Sequence, residues 1–186
     1  MATTVRVTIQ QFLAAHESKP YRELMDGEVF EKPMPNALHG GLAARLIFLL
    51  TLHQQQNDTF HVCTEMRHAD AATDWVFLPD ISVLLKSQSV ASLSELTDPV
   101  LFPPDFAIEV LSPGDRAGMI SRRTEAYRKA GTTLLWFVDP ENESIPAWER
   151  SAGQFEAPRD RPLSAAPILP GFELDIPALF AFLHPK

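Results

Sequence analysis

Apolar and polar residues alternate on either side of Asp26-Gly27 in the segment YRELMDGEVFEKPMP. Asp-Gly strongly favours a tight hairpin turn, because glycine accepts a positive φ. We therefore predict an N-terminal β-hairpin that ends at Pro33. Beyond it, leucines recur at three- and four-residue spacing, which predicts a helix from Asn36, its N-cap, to about Gln55, with one stripe facing a core.

Four later segments have the β-branched and aromatic composition of strands. TFHVCTEMRH and WVFLPDISVLL show period-two character, whereas PDFAIEVL and TTLLWFVDP are apolar enough for fully buried strands. The segment between the last two is helical in pattern and stops at Gly131, which predicts a βαβ crossover and a mixed sheet. The Ser- and Pro-rich stretch 86–104 predicts a surface loop or flap.

Length and composition restrict the class of protein. The 186 residues fit a single domain, 1–186, and the single cysteine, Cys63, cannot form an internal disulfide. We find neither a secretory signal nor an apolar run of about 20 residues, so we expect a soluble, cytoplasmic protein with no membrane association. The net charge of -8 argues against nucleic-acid binding through the global field, but a local basic strip or a bound metal could still attract phosphate.

Two carboxylates lie where their neighbours favour burial. Asp80 interrupts FLPDISVLL, and Glu109 is the charged residue of FAIEVL. Burying an ionised carboxylate without a partner costs several kcal/mol, so each must be exposed at a strand irregularity, paired with a cation or bound to metal. Two such groups on neighbouring strands would repel each other unless a divalent cation lay between them, which predicts a hard ion, Mg²⁺ or alternatively Mn²⁺.

Blocks along most of the chain resemble a known family. The blocks YRELMDGEVFEKPMPNALHGGLAARL, FLPDISVL, PPDFAIEVLSPGDRAG, EAYRKAGTTLLWFVDP and LPGFEL, within 21–174, are similar to the Uma-two (Uma2) family of putative restriction endonucleases in the PD-(D/E)XK nuclease superfamily. The resemblance implies an α/β, restriction-endonuclease-like core with a central mixed β-sheet flanked by helices. It further implies a Mg²⁺-dependent endonuclease that hydrolyses DNA phosphodiester bonds, without an organic cofactor, with Asp80, Glu109 and the Val110 carbonyl as metal ligands. By analogy with other nucleases of this fold, we expect a homodimer.

One position departs from the family motif. The lysine expected two residues after the acid is Leu111 here, and an aliphatic chain cannot orient water or neutralise a phosphate. Family members supply a cation from the following helix, four residues before its tyrosine, and that position is Arg123. Arg123 shares a predicted helical stripe with Arg116 and Tyr127, so we expect it to face the sheet and to pair with Glu109 or stabilise the phosphate.

The resemblance also implicates His39 and Glu28 as residues that line the cleft. Simpler roles compete: a capping or core histidine, a solvated hairpin glutamate, and two strand-end carboxylates held by Arg123 and Arg116 with no metal. Two other functions also remain open. One is a catalytically weakened nuclease-fold module for nucleic-acid binding or protein interaction, and the other is a metal hydrolase that acts on another substrate.

Overall fold

The computed structural model describes residues 6–15, 19–86, 91–96, 98–113, 115 and 117–184. Its helices are α1 (Ile9–Ala14), α2 (Ala37–Gln56), α3 (Ala117–Ala130) and α4 (Ile176–Phe180). Its strands are β1 (Arg22–Met25), β2 (Glu28–Glu31), β3 (Phe60–Thr64), β4 (His68–Asp70), β5 (Trp75–Phe77), β6 (Ile81–Leu85), β7 (Phe106–Val110), β8 (Leu134–Val138), β9 (Pro146–Glu149), β10 (Gly153–Glu156), β11 (Leu163–Ser164) and β12 (Glu173–Leu174).

A six-stranded mixed sheet forms the centre of the molecule, with the strand order β10-β9-β8-β7-β6-β3. Strands β7 and β8 are parallel and are joined through α3, whereas the other neighbours in this sheet are antiparallel. The predicted βαβ crossover and mixed sheet are therefore confirmed. Gly131 ends α3 with φ 104°, a conformation that glycine adopts without steric cost.

The two faces of β7 meet different layers. Phe106, Ile108 and Val110 join the core formed with the leucines of α2 and with α4. Ala107 and Leu111 join a second core that includes Tyr127 of α3. Helices therefore flank the sheet on both sides, and the side chain of Glu109 has the same parity as Ala107 and Leu111 on the α3 side.

The predicted hairpin is β1–β2, which belongs to a smaller sheet with the order β2-β1-β5-β4. Its turn residues Asp26 and Gly27 have φ values of 51° and 76°, as a two-residue hairpin turn with both central residues at positive φ requires. Strand β1 also pairs with β5 through Leu24 and Val76. This pairing places the hairpin beside the segment that leads to Asp80.

The segment WVFLPDISVLL does not form one strand, because β5 belongs to the small sheet and β6 to the central sheet. The chain crosses between the sheets at Leu78–Asp80, where Pro79 has no N–H to continue a ladder. TFHVCTEMRH is likewise divided between β3 and β4. The chain at Pro79 is thus a passage between two sheets, and Asp80 lies at its end.

The helix predicted from Asn36 is α2, and the Asn36 side chain accepts a hydrogen bond from the His39 N–H as an N-cap. In the stretch 86–104, a short 3-10 turn spans Leu93–Glu95, while residues 87–90 and 97 lie outside the described residues. Among the helices described, none is sufficiently long and apolar to cross a membrane.

Candidate active site

Asp80 stands at the start of β6 with its side chain 7% exposed. Its Oδ2 accepts a hydrogen bond from the Val110 N–H at 2.7 Å and lies 3.0 Å from His39 Nε2. Its Oδ1 accepts from Lys32 Nζ at 2.8 Å. Both oxygens of the carboxylate are therefore held, by partners from three separate elements.

Glu109 lies on the neighbouring strand β7 and is almost completely buried. Its Oε1 accepts a hydrogen bond from the Tyr127 hydroxyl at 2.8 Å, and its Oε2 accepts from Lys32 Nζ at 3.1 Å. Tyr127 thus fixes one side of the carboxylate from α3. The other side turns toward the same ammonium group that Asp80 contacts.

Lys32 is the residue that brings the two carboxylates to one point. It follows β2, and its Nζ donates to Asp80, to Glu109 and to the Leu78 carbonyl oxygen, so all three donors of the ammonium have acceptors. Its backbone N–H donates to the Tyr21 carbonyl at 2.7 Å. The Lys32 side chain is 12% exposed, so a small part of it is accessible to solvent.

Arg123 faces the sheet from α3, as the helical stripe predicts, but its ion pairs differ from those expected. The guanidinium donates to Glu23 Oε2 at 2.8 Å and to Asp115 Oδ1 at 3.3 Å. Among the described residues, these carboxylates rather than Glu109 are its ion-pair partners. The expected direct pair between Arg123 and Glu109 is therefore wrong, because the guanidinium binds Glu23 of β1 and Asp115 instead.

Glu23 connects Arg123 to the segment Leu78–Asp80, between β5 and β6. Its other oxygen, Oε1, accepts a hydrogen bond from the Leu78 N–H at 3.0 Å, while the Leu78 carbonyl accepts from Lys32. Both polar groups of the Leu78 backbone are thus held by side chains of the hairpin region. This clamp fixes the segment immediately before Asp80.

The cluster carries more negative than positive charge. Four buried or largely buried carboxylates, those of Glu23, Asp80, Glu109 and Asp115, face the cations of Arg123, which is buried, and Lys32, which is largely buried. Counted without His39, the cluster therefore has an excess of two negative charges in a site where water screens poorly. One divalent cation would neutralise that excess.

The environment shifts the pKa values of the two central carboxyls in opposite directions. Burial raises the pKa of Glu109, and the nearby charges of Lys32 and Arg123 only partly offset this effect. Burial also opposes ionisation of Asp80, but Lys32 and His39 outweigh it and hold the pKa of Asp80 well below its usual value. Asp80 is thus the firmly ionised member of the pair, and Glu109 is the one that gains most from an added cation.

The cation also responds to this environment. Burial disfavours the charged form of Lys32, but Glu109, Asp80 and Glu23 outweigh this penalty and raise its pKa above the ordinary lysine value. Lys32 therefore remains an ammonium across the neutral range. A group in this state can donate hydrogen bonds and neutralise charge, but it cannot accept a proton.

The other predicted residues divide between the site and the surface. His39 lies in the site through its contact with Asp80. Glu28 is half exposed and pairs with Arg122 of α3 at 3.3 Å rather than with Lys32 or His39, and its place in the cleft stays a prediction. Arg116, the other cation considered for these carboxylates, lies outside the described residues.

The donor set can be tested against a metal ion. Within the described ranges, no three His, Cys, Asp or Glu side chains form a group that could hold one. Asp80 and Glu109 nevertheless converge on one cation position, at Lys32 Nζ. Mg²⁺ often uses only one or two protein carboxylates and completes its octahedron with water and substrate phosphate. The two carboxylates and the excess negative charge fit such an open Mg²⁺ or Mn²⁺ site.

Sequence reasoning missed Lys32 and Glu23. Neither shows a period-two signal, since Glu23 lies within the consecutive buried residues of β1 and Lys32 follows β2. One signal was available, because two buried carboxylates require cations and Lys32 is a cation at the end of the predicted hairpin. Placing Lys32 at the site requires the pairing of β1 with β5, which the local sequence pattern does not reveal.

Comparisons with known proteins agree with this architecture. A family model described as "Uma2: Putative restriction endonuclease" matches residues 9–177. The structure is similar to the crystal structure, at 1.96 Å resolution, of a putative nuclease belonging to DUF820 from Anabaena variabilis ATCC 29413. The TM-score is 0.86 and the identity 23%, over 96% of this chain and 99% of the other. No curated protein matches the sequence.

Proposed function

The chain belongs to the Uma2 family of putative restriction endonucleases, and from this premise we propose that it is a metal-dependent endonuclease that hydrolyses DNA phosphodiester bonds. One observation carries the proposal: Asp80 and Glu109, from neighbouring strands, converge on one cation position at the edge of a buried, negatively charged cluster. Paired acids at such a position could bind a hard divalent ion, and an anionic substrate could in turn bind that ion.

The residues that would hold the ion are Asp80 and Glu109, with the Val110 carbonyl as a third candidate. A bound Mg²⁺ or Mn²⁺ supplies polarisation of the scissile phosphate and a lowered pKa for an attacking water. The protein's part is to keep the ligands in place: the Val110 N–H and His39 hold Asp80, and Tyr127 holds Glu109. Such hydrogen bonds to ligating groups set their orientation and tune their affinity for metal.

Arg123 enters the proposal in a positioning role that its contacts support. Through Glu23 it fixes the Leu78 backbone, and its charge also acts on Glu109 across the cluster. The earlier expectation that it stabilises the transferred phosphate directly remains a prediction, which requires the guanidinium to leave Glu23 or Asp115.

Cleavage of DNA tests the proposal. We expect supercoiled plasmid or linear duplex to be cut in Mg²⁺ or Mn²⁺ and to stay intact in EDTA. Asp80→Asn removes a ligand charge and should abolish cutting, whereas Asp58→Asn, at an exposed carboxylate, should cut like the wild type. If no divalent ion allows the wild-type chain to cut duplex or single-stranded DNA, the proposal fails. Light scattering on the same samples tests the homodimer that we expect by analogy with other nucleases of this fold.

One observation favours a second candidate function, a nuclease-fold module that binds nucleic acid or protein without cutting. The motif lysine is replaced by Leu111, whose side chain packs in the apolar core with Tyr127, and Lys32 supplies both acids with a cationic partner. Metal titration followed by thermal unfolding separates the candidates. An enzyme should be stabilised by Mg²⁺ or Mn²⁺ and lose this response in Asp80→Asn, while the binding module should be indifferent to metal.

A further inference from the structure

The site has two acids of the nuclease motif but lacks the lysine that should follow Glu109 by two residues. Leu111 occupies that position and is buried in the core beside α3. Arg123 is committed to Glu23 and Asp115. A positive group that could act on a phosphate must therefore come from elsewhere in the fold.

Lys32 is the described cation whose ammonium bonds directly to both acids. It comes from the end of the β1–β2 hairpin, far from Glu109 in sequence. Its backbone N–H is anchored on Tyr21, so the hairpin fixes the point from which the side chain extends. The flexible four-carbon stem then brings the ammonium to the position between the acids.

The ammonium is also within reach of a substrate. A pocket borders Lys32, His39 and Asp80, and its walls include Tyr21 and Glu65. The Lys32 side chain is 12% exposed and lines this pocket with His39 and Asp80, so a phosphate bound there would face the ammonium, the histidine and one of the two acids.

We propose that Lys32 is the catalytic lysine of this site, supplied by the hairpin in place of the motif lysine. The inference rests on the proposed nuclease function. In the structure its ammonium bonds to both acids. If Asp80 and Glu109 held a divalent ion, the ammonium would leave one or both of them and would neutralise the scissile phosphate. Lys32 therefore competes with metal for the acids and assists the reaction once the metal is bound.

This double role predicts opposite effects from a single substitution. Lys32→Met should lower the Mg²⁺ or Mn²⁺ concentration at which half of the metal-induced rise in melting temperature is reached, because the acids lose the cation that pairs with them. It should also slow DNA cleavage at saturating metal by roughly 10²–10³-fold, as the loss of a preorganised electrostatic group does. A merely structural lysine would not tighten metal binding while it slowed the reaction.

Lys86→Met is the matched control. Asp80 precedes β6 and Lys86 follows it, so the two residues lie at opposite ends of the strand. Lys86 pairs with the exposed Asp58, and both metal response and cleavage should therefore equal those of the wild type. If Lys32→Met cuts DNA within a few-fold of the wild type, or loses metal response and cleavage together, the inference is overturned while the nuclease proposal stands. If the wild type itself cuts no DNA, the nuclease proposal fails and the role of Lys32 falls with it.

A second variant keeps the test decisive if Lys32→Met does not fold. Lys32→Cys in a Cys63→Ser background can be alkylated with 2-bromoethylamine, which restores an ammonium at nearly the length of lysine. Mass spectrometry confirms the modification. Recovery of cleavage after alkylation supports the inference, and complete alkylation without recovery contradicts it.

Discussion

At the scale of single residues, the contacts of Arg123 support a positioning role. Arg123 satisfies the family position and faces the sheet, yet Glu23 and Asp115 take its guanidinium. Lysine has no planar fork, so its compact ammonium cannot reproduce the geometry in which the guanidinium spans Glu23 and Asp115. A lysine at this position should therefore weaken the link through Glu23 to the Leu78 backbone and should not speed the proposed cleavage.

We expect Arg123→Lys to lower the free energy of unfolding by about 1–3 kcal/mol, the cost of losing a charged hydrogen bond in a buried site. We expect no rise in cleavage rate. Arg122→Lys, at the neighbouring half-exposed arginine, should cost less than about 1 kcal/mol. Urea unfolding of both variants measures the difference, and a faster nuclease from Arg123→Lys would show instead that this position supplies the catalytic cation.

Glu109 gives a prediction that depends on pH. Because burial raises its pKa above the ordinary 4.5, the folded state holds a proton that the unfolded state has released in the window just above pH 4.5. Its contribution to stability is therefore full below 4.5 and falls as the pH rises through the raised pKa. Glu109→Gln, which stays neutral, lacks this loss.

In EDTA, the stability of Glu109→Gln relative to the wild type should thus increase as the pH rises from 4.5 toward neutral, by up to about 1.4 kcal/mol per pH unit within the window. Urea denaturation at several pH values measures this difference, with Asp58→Asn as a variant whose difference should stay flat in the same range. A flat profile for Glu109→Gln would mean that Glu109 is not held in a raised-pKa state. The same variant should lose metal response and cleavage.

At the scale of elements, the β1–β2 hairpin carries both Glu23 and Lys32 to the site, so its turn sets their placement. Gly27 has φ 76°, and a Cβ there would lie 2.8 Å from Arg6 Cβ and 3.3 Å from its Cα. Gly153, the first residue of β10, has nearly the same φ, 77°, but a Cβ there would meet no atom within 4 Å. The two glycines therefore separate backbone strain from steric conflict.

Gly153→Ala should cost about 1–2 kcal/mol of unfolding free energy from left-handed strain alone. Gly27→Ala should cost more, since the N-terminal segment at Arg6 must also move, and by displacing Lys32 from the two acids it should lower the metal concentration needed for stabilisation, as Lys32→Met does. Urea unfolding and metal titration of the pair test this prediction. Equal costs with an unchanged metal response would show that the turn does not control the site.

The same elements explain how much of the fold was predictable. Turn chemistry at Asp26-Gly27, leucine periodicity in α2 and the apolar runs of β7 and β8 are local signals, and each was confirmed. The division of WVFLPDISVLL between two sheets was not predicted, because it arises from a long-range choice of strand partners. Lys32 and Glu23 were missed for the same reason: their roles follow from the pairing of β1 with β5.

At the scale of the whole molecule, electrostatics opposes the proposed substrate unless metal is present. The chain carries a net charge of -8, and the buried cluster adds a local excess of two negative charges at the point where a phosphate would arrive. Phosphate affinity normally comes from positive groups that replace counterions. A divalent ion in the site would neutralise this local excess and supply part of that affinity.

DNA binding should therefore depend strongly on divalent ions even without cleavage. We expect a fluorescent duplex to bind at least tenfold more tightly in Ca²⁺ than in EDTA at equal ionic strength, as measured by anisotropy, because Ca²⁺ accepts the same oxygen ligands. Asp80→Asn should lose most of this gain, while Asp58→Asn should keep it. Equal affinities in Ca²⁺ and EDTA for the wild type would place DNA elsewhere on the molecule, away from the paired acids.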